Sequence, residues 1–332
     1  MTLTSWSSRR GARAAALLAA AAFVAGCGGG SEQVSTFDAD RALAFGDESS
    51  LIVDSNANGN GFKYSVNGTV SPTDPTVSCR LNAIWIQRVA GLYGLVFPQC
   101  NPGPTPVAAP TSRIRATLGA TSADLAAQID AQEAESAIGS GDIATVMVGV
   151  NDVLAQYAQY PTLSEDAITD NVEAAGVVVG KQVNRLANAG ARVLLSTIID
   201  AGVTPFAAAE KRSHTDIDRA ELLTRLSQRF NASLRRTIDN DGRKIGLILL
   251  DELVSAVAKF EGLNGFTNTN TGACDLTKSK LVPPSVLDCT DLTLITGAGA
   301  NTYLWADDRR LSAGGQASFG NLAIERAENN SF

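Results

Sequence analysis

Residues 143–152 read Ile143-Ala144-Thr145-Val146-Met147-Val148-Gly149-Val150-Asn151-Asp152. A continuous apolar and β-branched run, closed by a glycine and short polar side chains, describes a strand buried on both faces that ends in a tight turn. Such a strand belongs to a parallel sheet covered by helices on each side, and Asn151 falls at its carboxyl end.

Working outward, residues 41–45 form a second apolar run ending in Gly46-Asp47, and residues 192–199 and 245–250 form two more. Between them lie helical patterns. Leu81, Ile84, Trp85, Val89, Leu92 and Tyr93 recur at helical spacing before a proline-rich loop at 98–110. Thr121 with Asp124 resembles a capping box, which places Gly119 at a strand-to-helix turn. Ser164, Glu165 and Asp166 open a long amphipathic helix stopped near Gly190, and a second long helix is expected to be capped near Thr215, with His214 at its start. The alternation predicts an α/β fold in three layers: a doubly wound, mostly parallel sheet of flavodoxin-like type, in one domain over 39–332. Asn-Gly pairs at Asn58-Gly59, Asn60-Gly61 and Asn67-Gly68 mark residues 50–70 as a surface insertion. Residues 262–300 read as a long polar loop. No second core is expected.

Of 332 residues, 45% are apolar and 18% charged, with a formal charge of −7. This composition excludes a disordered chain and, with no Lys/Arg-rich block, a nucleic-acid partner. Arg9, Arg10 and Arg13 precede an apolar run at 14–24 that is too short to span a bilayer, so 1–26 reads as a signal peptide. It ends in Val24-Ala25-Gly26-Cys27, which resembles the lipobox of bacterial lipoproteins; the resemblance implies a lipid anchor on Cys27, a Gly/Ser tether over 27–38 and, from Gly28, an outer-membrane destination. The other four cysteines form an even set suited to an oxidising compartment. Three pairings exist; the two local ones, Cys79 with Cys100 and Cys274 with Cys289, each close a modest loop. With a single histidine and no Cys-x-x-Cys spacing, no zinc site is expected.

The strand-end turns carry Gly46-Asp47-Glu48-Ser49-Ser50, Leu118-Gly119-Ala120-Thr121, Gly149-Val150-Asn151-Asp152 and Trp305-Ala306-Asp307-Asp308-Arg309-Arg310. In this order they resemble the blocks of the SGNH/GDSL hydrolases: Phe-Gly-Asp-Ser, a glycine, Gly-x-Asn-Asp and Asp-x-x-His. The resemblance covers essentially the whole mature chain. It implies the SGNH hydrolase fold, ester hydrolysis without a cofactor, and oxyanion donors at Gly119 and Asn151.

Two departures decide the expected chemistry. Glu48 stands where the family has its nucleophilic serine, and Arg310 stands where it has its histidine base three residues after Asp307. Arginine stays protonated in proteins and cannot accept a proton from a hydroxyl. The paired replacement suggests instead a charge-assisted, bidentate couple between Glu48 and Arg310, or Arg309 if the turn register slips.

The expectation is therefore an esterase-like envelope lipoprotein with a degenerate centre and a cleft for an ester-, acyl- or glycan-like ligand, in which Arg310 would meet a carboxylate or phosphate. Alternatives are an active carboxylic-ester hydrolase using Ser49 or Ser50 with Gly119 and Asn151, a carboxylate mechanism through Glu48 with Asp307 or Asp308, a divalent-cation site at Asp47, Glu48 and Asp152, and a structural envelope protein without a ligand. The oligomeric state is not legible.

Overall fold

The computed structural model describes residues 37–329 except 104, 105 and 261. The expected signal peptide, Cys27 and all of the tether before residue 37 lie outside the described residues.

In chain order the elements are β1 (Arg41–Gly46), β2 (Ile52–Val53), β3 (Phe62–Lys63), β4 (Thr69–Ser71), β5 (Asp74–Val77), α1 (Trp85–Leu92), β6 (Arg113–Ile114), α2 (Leu125–Glu135), β7 (Asp142–Met147), α3 (Val150–Tyr157) and α4 (Glu165–Asn188). There follow β8 (Arg192–Ser196), α5 (Pro205–Ser213), α6 (Arg219–Thr237), β9 (Ile245–Ile248), α7 (Leu250–Lys259), β10 (Asn268–Gly272), β11 (Tyr303–Trp305) and α8 (Ala313–Asn329). Five strands form the central sheet in the order β6-β1-β7-β8-β9, every pairing parallel. The winding direction reverses between β1 and β7. In a doubly wound sheet, this switch point opens a crevice at the strands' carboxyl ends.

Strand pleat explains the two main cores. Ala42 and Ala44 of β1, with Ile143 and Met147 of β7, pack towards α1, α7 and α8. Leu43 and Phe45, with Ala144 and Val146, pack towards α2, α3, α4 and α6. Alternate residues facing opposite ways, all apolar, need a helical layer on each side.

Helix ends follow local chemistry. Ser164 caps α4 by accepting the Ala167 N–H at 3.2 Å. The second long helix does not start near Thr215: Asp218 caps α6, accepting from the Ala220 and Glu221 N–H groups. A separate helix, α5, precedes it, capped by Thr204 with Pro205 in its first turn. His214 is the C-cap of α5 rather than the start of a long helix.

The stretch at 50–70 is only partly a surface insertion. Lys63, Ser65, Val66 and Asn67 are fully buried, and Tyr64 and Val66 join Cys274, Val286, Cys289 and Ala306 in a third, small core. The Asn67 side chain donates to the carbonyls of Leu287 and Cys289, each at 3.0 Å, tying the early hairpin to the late loop. The Lys63 ammonium is tolerated inside because Nζ donates to the carbonyls of Cys79, Leu81 and Asn82. Disulfides join Cys79 to Cys100 and Cys274 to Cys289. β11 lies outside the central sheet and pairs with β10.

Candidate functional site

The site begins where β1 stops. Gly46 has φ +121°, and a Cβ there would lie 1.8 Å from the Met147 carbonyl oxygen, so only glycine lets β1 and β7 end this close together. Gln128 of α2 grips the Gly46 backbone on both sides of its Cα. Its Oε1 accepts the Gly46 N–H at 2.7 Å and its Nε2 donates to the Gly46 carbonyl at 2.9 Å. Nothing in the sequence pattern singles out Gln128; its burial on a helix of mixed composition is visible only after folding. Asp47 then caps a single 3-10 turn at Glu48–Ser50, accepting the Ser49 N–H at 2.9 Å.

That turn sorts the three candidates. Glu48 points into the crevice, Ser49 lines it, and Ser50 turns away into the core, where its Oγ accepts from the Trp85 indole N–H at 3.1 Å. Ser50 is fully buried, which removes it as a nucleophile.

Glu48 binds all three remaining blocks. Its Oε2 accepts the Gly119 N–H at 3.0 Å and the Asn151 side-chain amide at 3.3 Å. Its Oε1 accepts Nη2 of Arg310 at 2.7 Å and Nε at 3.1 Å. The couple is thus not a two-on-two fork: both guanidinium nitrogens converge on one oxygen, leaving the other for the amide donors. Arg310 also donates through Nη1 to Asp307 Oδ2 at 2.6 Å, while Asp307 Oδ1 accepts the backbone N–H groups of Arg309 and Arg310. Arg309 is turned aside. It forks onto Asp308 at 2.7 and 2.9 Å and lies over the Phe206 ring. Arg310 therefore has two carboxylate partners supplied by the chain itself.

Burial alone would push the Glu48 carboxyl up, but the Arg310 charge and the Gly119 N–H together bring it below its ordinary value. Burial tends to lower Arg310, yet the charges of Asp307 and Glu48 hold it above its ordinary value. Asp47 is pushed up to about 7, first by burial and then by the neighbouring Glu48 charge. An acid–base pair through Glu48 would need it poised near neutrality, and it is held ionised instead. Asp152 is raised by burial and turned to Ser122, accepting from its N–H at 2.8 Å and its hydroxyl at 2.6 Å, so it does not join Asp47 and Glu48 as a third metal ligand. Among the described residues no group of three or more His, Cys, Asp or Glu side chains could hold a metal ion. His214 sits at the end of α5 with Nδ1 3.1 Å from the Glu210 carbonyl oxygen, within none of the four blocks.

The crevice is lined by Ser49, Met147, Val150, Ile199 and Leu311 around the charged groups and encloses a cavity of about 30 Å³. That is room for one or two water molecules and not for an acyl chain. None of the described residues of the 262–300 loop lines it. The loop runs behind the fourth block, where the Cys274 N–H donates to the Ala306 carbonyl at 2.9 Å.

The sequence profile of the GDSL-like lipase/acylhydrolase family matches residues 52–321, beginning just after the first block. No curated protein matches the chain. Similar solved structures include LAE5, an alpha/beta hydrolase enzyme from the metagenome of Lake Arreo, at 14% identity and TM-score 0.45, covering 88% of this chain and 97% of that one. The lipase Lip_vut3 from a goat rumen metagenome is 11% identical with TM-score 0.46, covering 86% and 96%. Axe2, an acetylxylan esterase from Geobacillus stearothermophilus, is 13% identical with TM-score 0.44, covering 89% and 98%.

Proposed function

The chain belongs to the GDSL-like lipase/acylhydrolase family, and we propose that it is a member whose ester-cleaving centre is closed by its own side chains. One observation carries this reading: Glu48 Oε2 occupies both Gly119 N–H and Asn151 Nδ2. These are the groups that the family resemblance makes oxyanion donors. A permanent carboxylate on them leaves neither free for charge that develops during acyl transfer, which is where such donors lower the barrier. Arg310 in the base position holds its proton. The protein then works as a non-hydrolytic envelope component, anchored through a lipid on Cys27 after removal of 1–26, and any ester-, acyl- or glycan-like ligand meets the rim of the crevice around Ser49, Val150, Ile199 and Arg309. The two disulfides suit an oxidising compartment.

A second reading, hydrolysis through Ser49, has in its favour that Ser49 lines the crevice. It lacks a neutral base there, since the single histidine lies at the end of α5. Full-length protein treated with a fluorophosphonate probe and with short-chain p-nitrophenyl esters separates the two. We expect neither adduct nor turnover; turnover abolished by Ser49→Ala would overturn the closed-centre reading.

A further inference from the structure

We propose that Gly119, Asn151 and Arg310 form a binding site for a small monocarboxylate, and that Glu48 is its resident ligand, supplied by the chain itself. This inference rests on the closed-centre reading and adds the ligand class. Four N–H donors converge on two oxygens: Gly119 N and Asn151 Nδ2 on one, Arg310 Nε and Nη2 on the other.

The donors come from three separate segments, and two of them are held by partners other than Glu48. Asn151 Nδ2 also donates to the Ala120 carbonyl at 3.0 Å, and Asp307 grips Arg310 at Nη1 and at its backbone N–H. The cradle is thus preorganised, so shortening Glu48 leaves the donors aimed at a vacant, partly apolar space lined by Met147, Val150, Ile199 and Leu311. A planar anion with two acceptor oxygens and a small apolar body matches it. Phosphate, with no apolar face, and a neutral amide, with no charge for Arg310, do not.

Side-chain arithmetic makes the test specific. Glu48→Ala deletes Cγ, Cδ and both carboxylate oxygens, which are the heavy atoms of acetate; Glu48→Gly deletes those of propionate. The experiment follows the thermal midpoints of full-length wild type, Glu48→Ala and Glu48→Gly against sodium acetate, sodium propionate, acetamide and sodium chloride at matched ionic strength. A ligand that binds only the folded state raises the midpoint with the logarithm of its concentration above Kd.

We expect a rise that grows with the logarithm of concentration for Glu48→Ala in acetate and for Glu48→Gly in propionate, none in acetamide beyond the chloride control, none for wild type, and loss of the response when Arg310→Met is added to Glu48→Ala. If Glu48→Ala does not fold in chloride, recovery from denaturant in acetate against chloride reads the same equilibrium. Equal behaviour in acetate, acetamide and chloride, or no recovery in acetate, would overturn the proposal. Fluorophosphonate labelling of the same wild-type sample keeps the two readings apart: a labelled wild type refutes the closed centre, whereas an inert wild type with variants blind to carboxylate refutes only the resident-ligand site.

Discussion

Arg310→Met is the sharpest perturbation of the proposed closed centre. Methionine keeps an apolar stem of similar reach and removes the charge. Arg310 bridges two carboxylates whose side chains are only 8% and 7% exposed, Glu48 and Asp307. Deleting one partner of a buried ion pair costs ~3–5 kcal/mol, because it leaves the other charge buried without compensation. Two features favour the lower end. Arg310 itself is 26% exposed, and both carboxylates keep donors, Gly119 and Asn151 for Glu48 and two backbone N–H groups for Asp307. About 3 kcal/mol at pH 7 corresponds to a midpoint lowered by roughly 6 °C in a domain of this size.

The pH dependence carries a sign as well. In wild type, Glu48 is held below its unfolded value, so its contribution is present above that value and is lost as pH falls through the folded one. In the variant, burial acts without Arg310 and the folded value rises above the unfolded one. Glu48 then favours folding at acid pH and opposes it as pH rises. Urea denaturation of both proteins from pH 7 down to about pH 4 should show the difference between them shrinking. A loss below about 1 kcal/mol at pH 7, or a difference that widens on acidification, would refute the argument that a buried, mutually dependent pair occupies the centre.

Asp47→Asn keeps an oxygen for the Ser49 N–H but cannot ionise. Asp47 is raised from 3.8 to about 7 in the fold, so its stabilising contribution is lost as pH rises through that window. The variant should match wild type near pH 4 and become the more stable of the two by pH 8, as read by thermal midpoints. Gln128→Leu strips the Gly46 peptide of both side-chain partners and should cost ~1–3 kcal/mol for the group left unsatisfied, measured as a lower urea midpoint; an unchanged midpoint would show that the clamp is redundant. Glu48→Ser combined with Arg310→His puts a hydroxyl and an imidazole among Asp307, Gly119 and Asn151, and we expect measurable p-nitrophenyl acetate turnover with a fluorophosphonate adduct at position 48. An inert but folded double variant would show that the rest of the crevice no longer supports acyl transfer.

Much of the fold was legible because parallel strands buried on both faces leave uninterrupted apolar runs. Residues 41–45, 143–148, 192–199 and 245–250 each correspond to a strand of the central sheet. Cap chemistry placed Ser164 but misplaced the start of α6, since Thr215 and Asp218 are both competent caps and the choice between them rests on where Leu222, Leu226 and Phe230 must face. The third core was not legible. It joins Tyr64 and Val66 to Cys289 and Ala306 across more than half the chain, and neither segment carries a periodicity of its own.

What the sequence determined by itself was that position 310 holds no proton acceptor, because no placement of Arg310 can make a guanidinium accept a proton at physiological pH. It also determined the strand-end position of the four blocks. Only the tertiary structure decided which side chains face the crevice: a shift of one residue in the Glu48–Ser50 turn would exchange Glu48 for Ser49, and the same shift at the fourth block would exchange Arg310 for Arg309. It alone brought Glu48 against an arginine 262 positions away and gave its second oxygen to Gly119 and Asn151. Side-chain direction in a short turn depends on what packs behind it, here Trp85 behind Ser50 and Gln128 behind Gly46, and such contacts have no local signature in the chain.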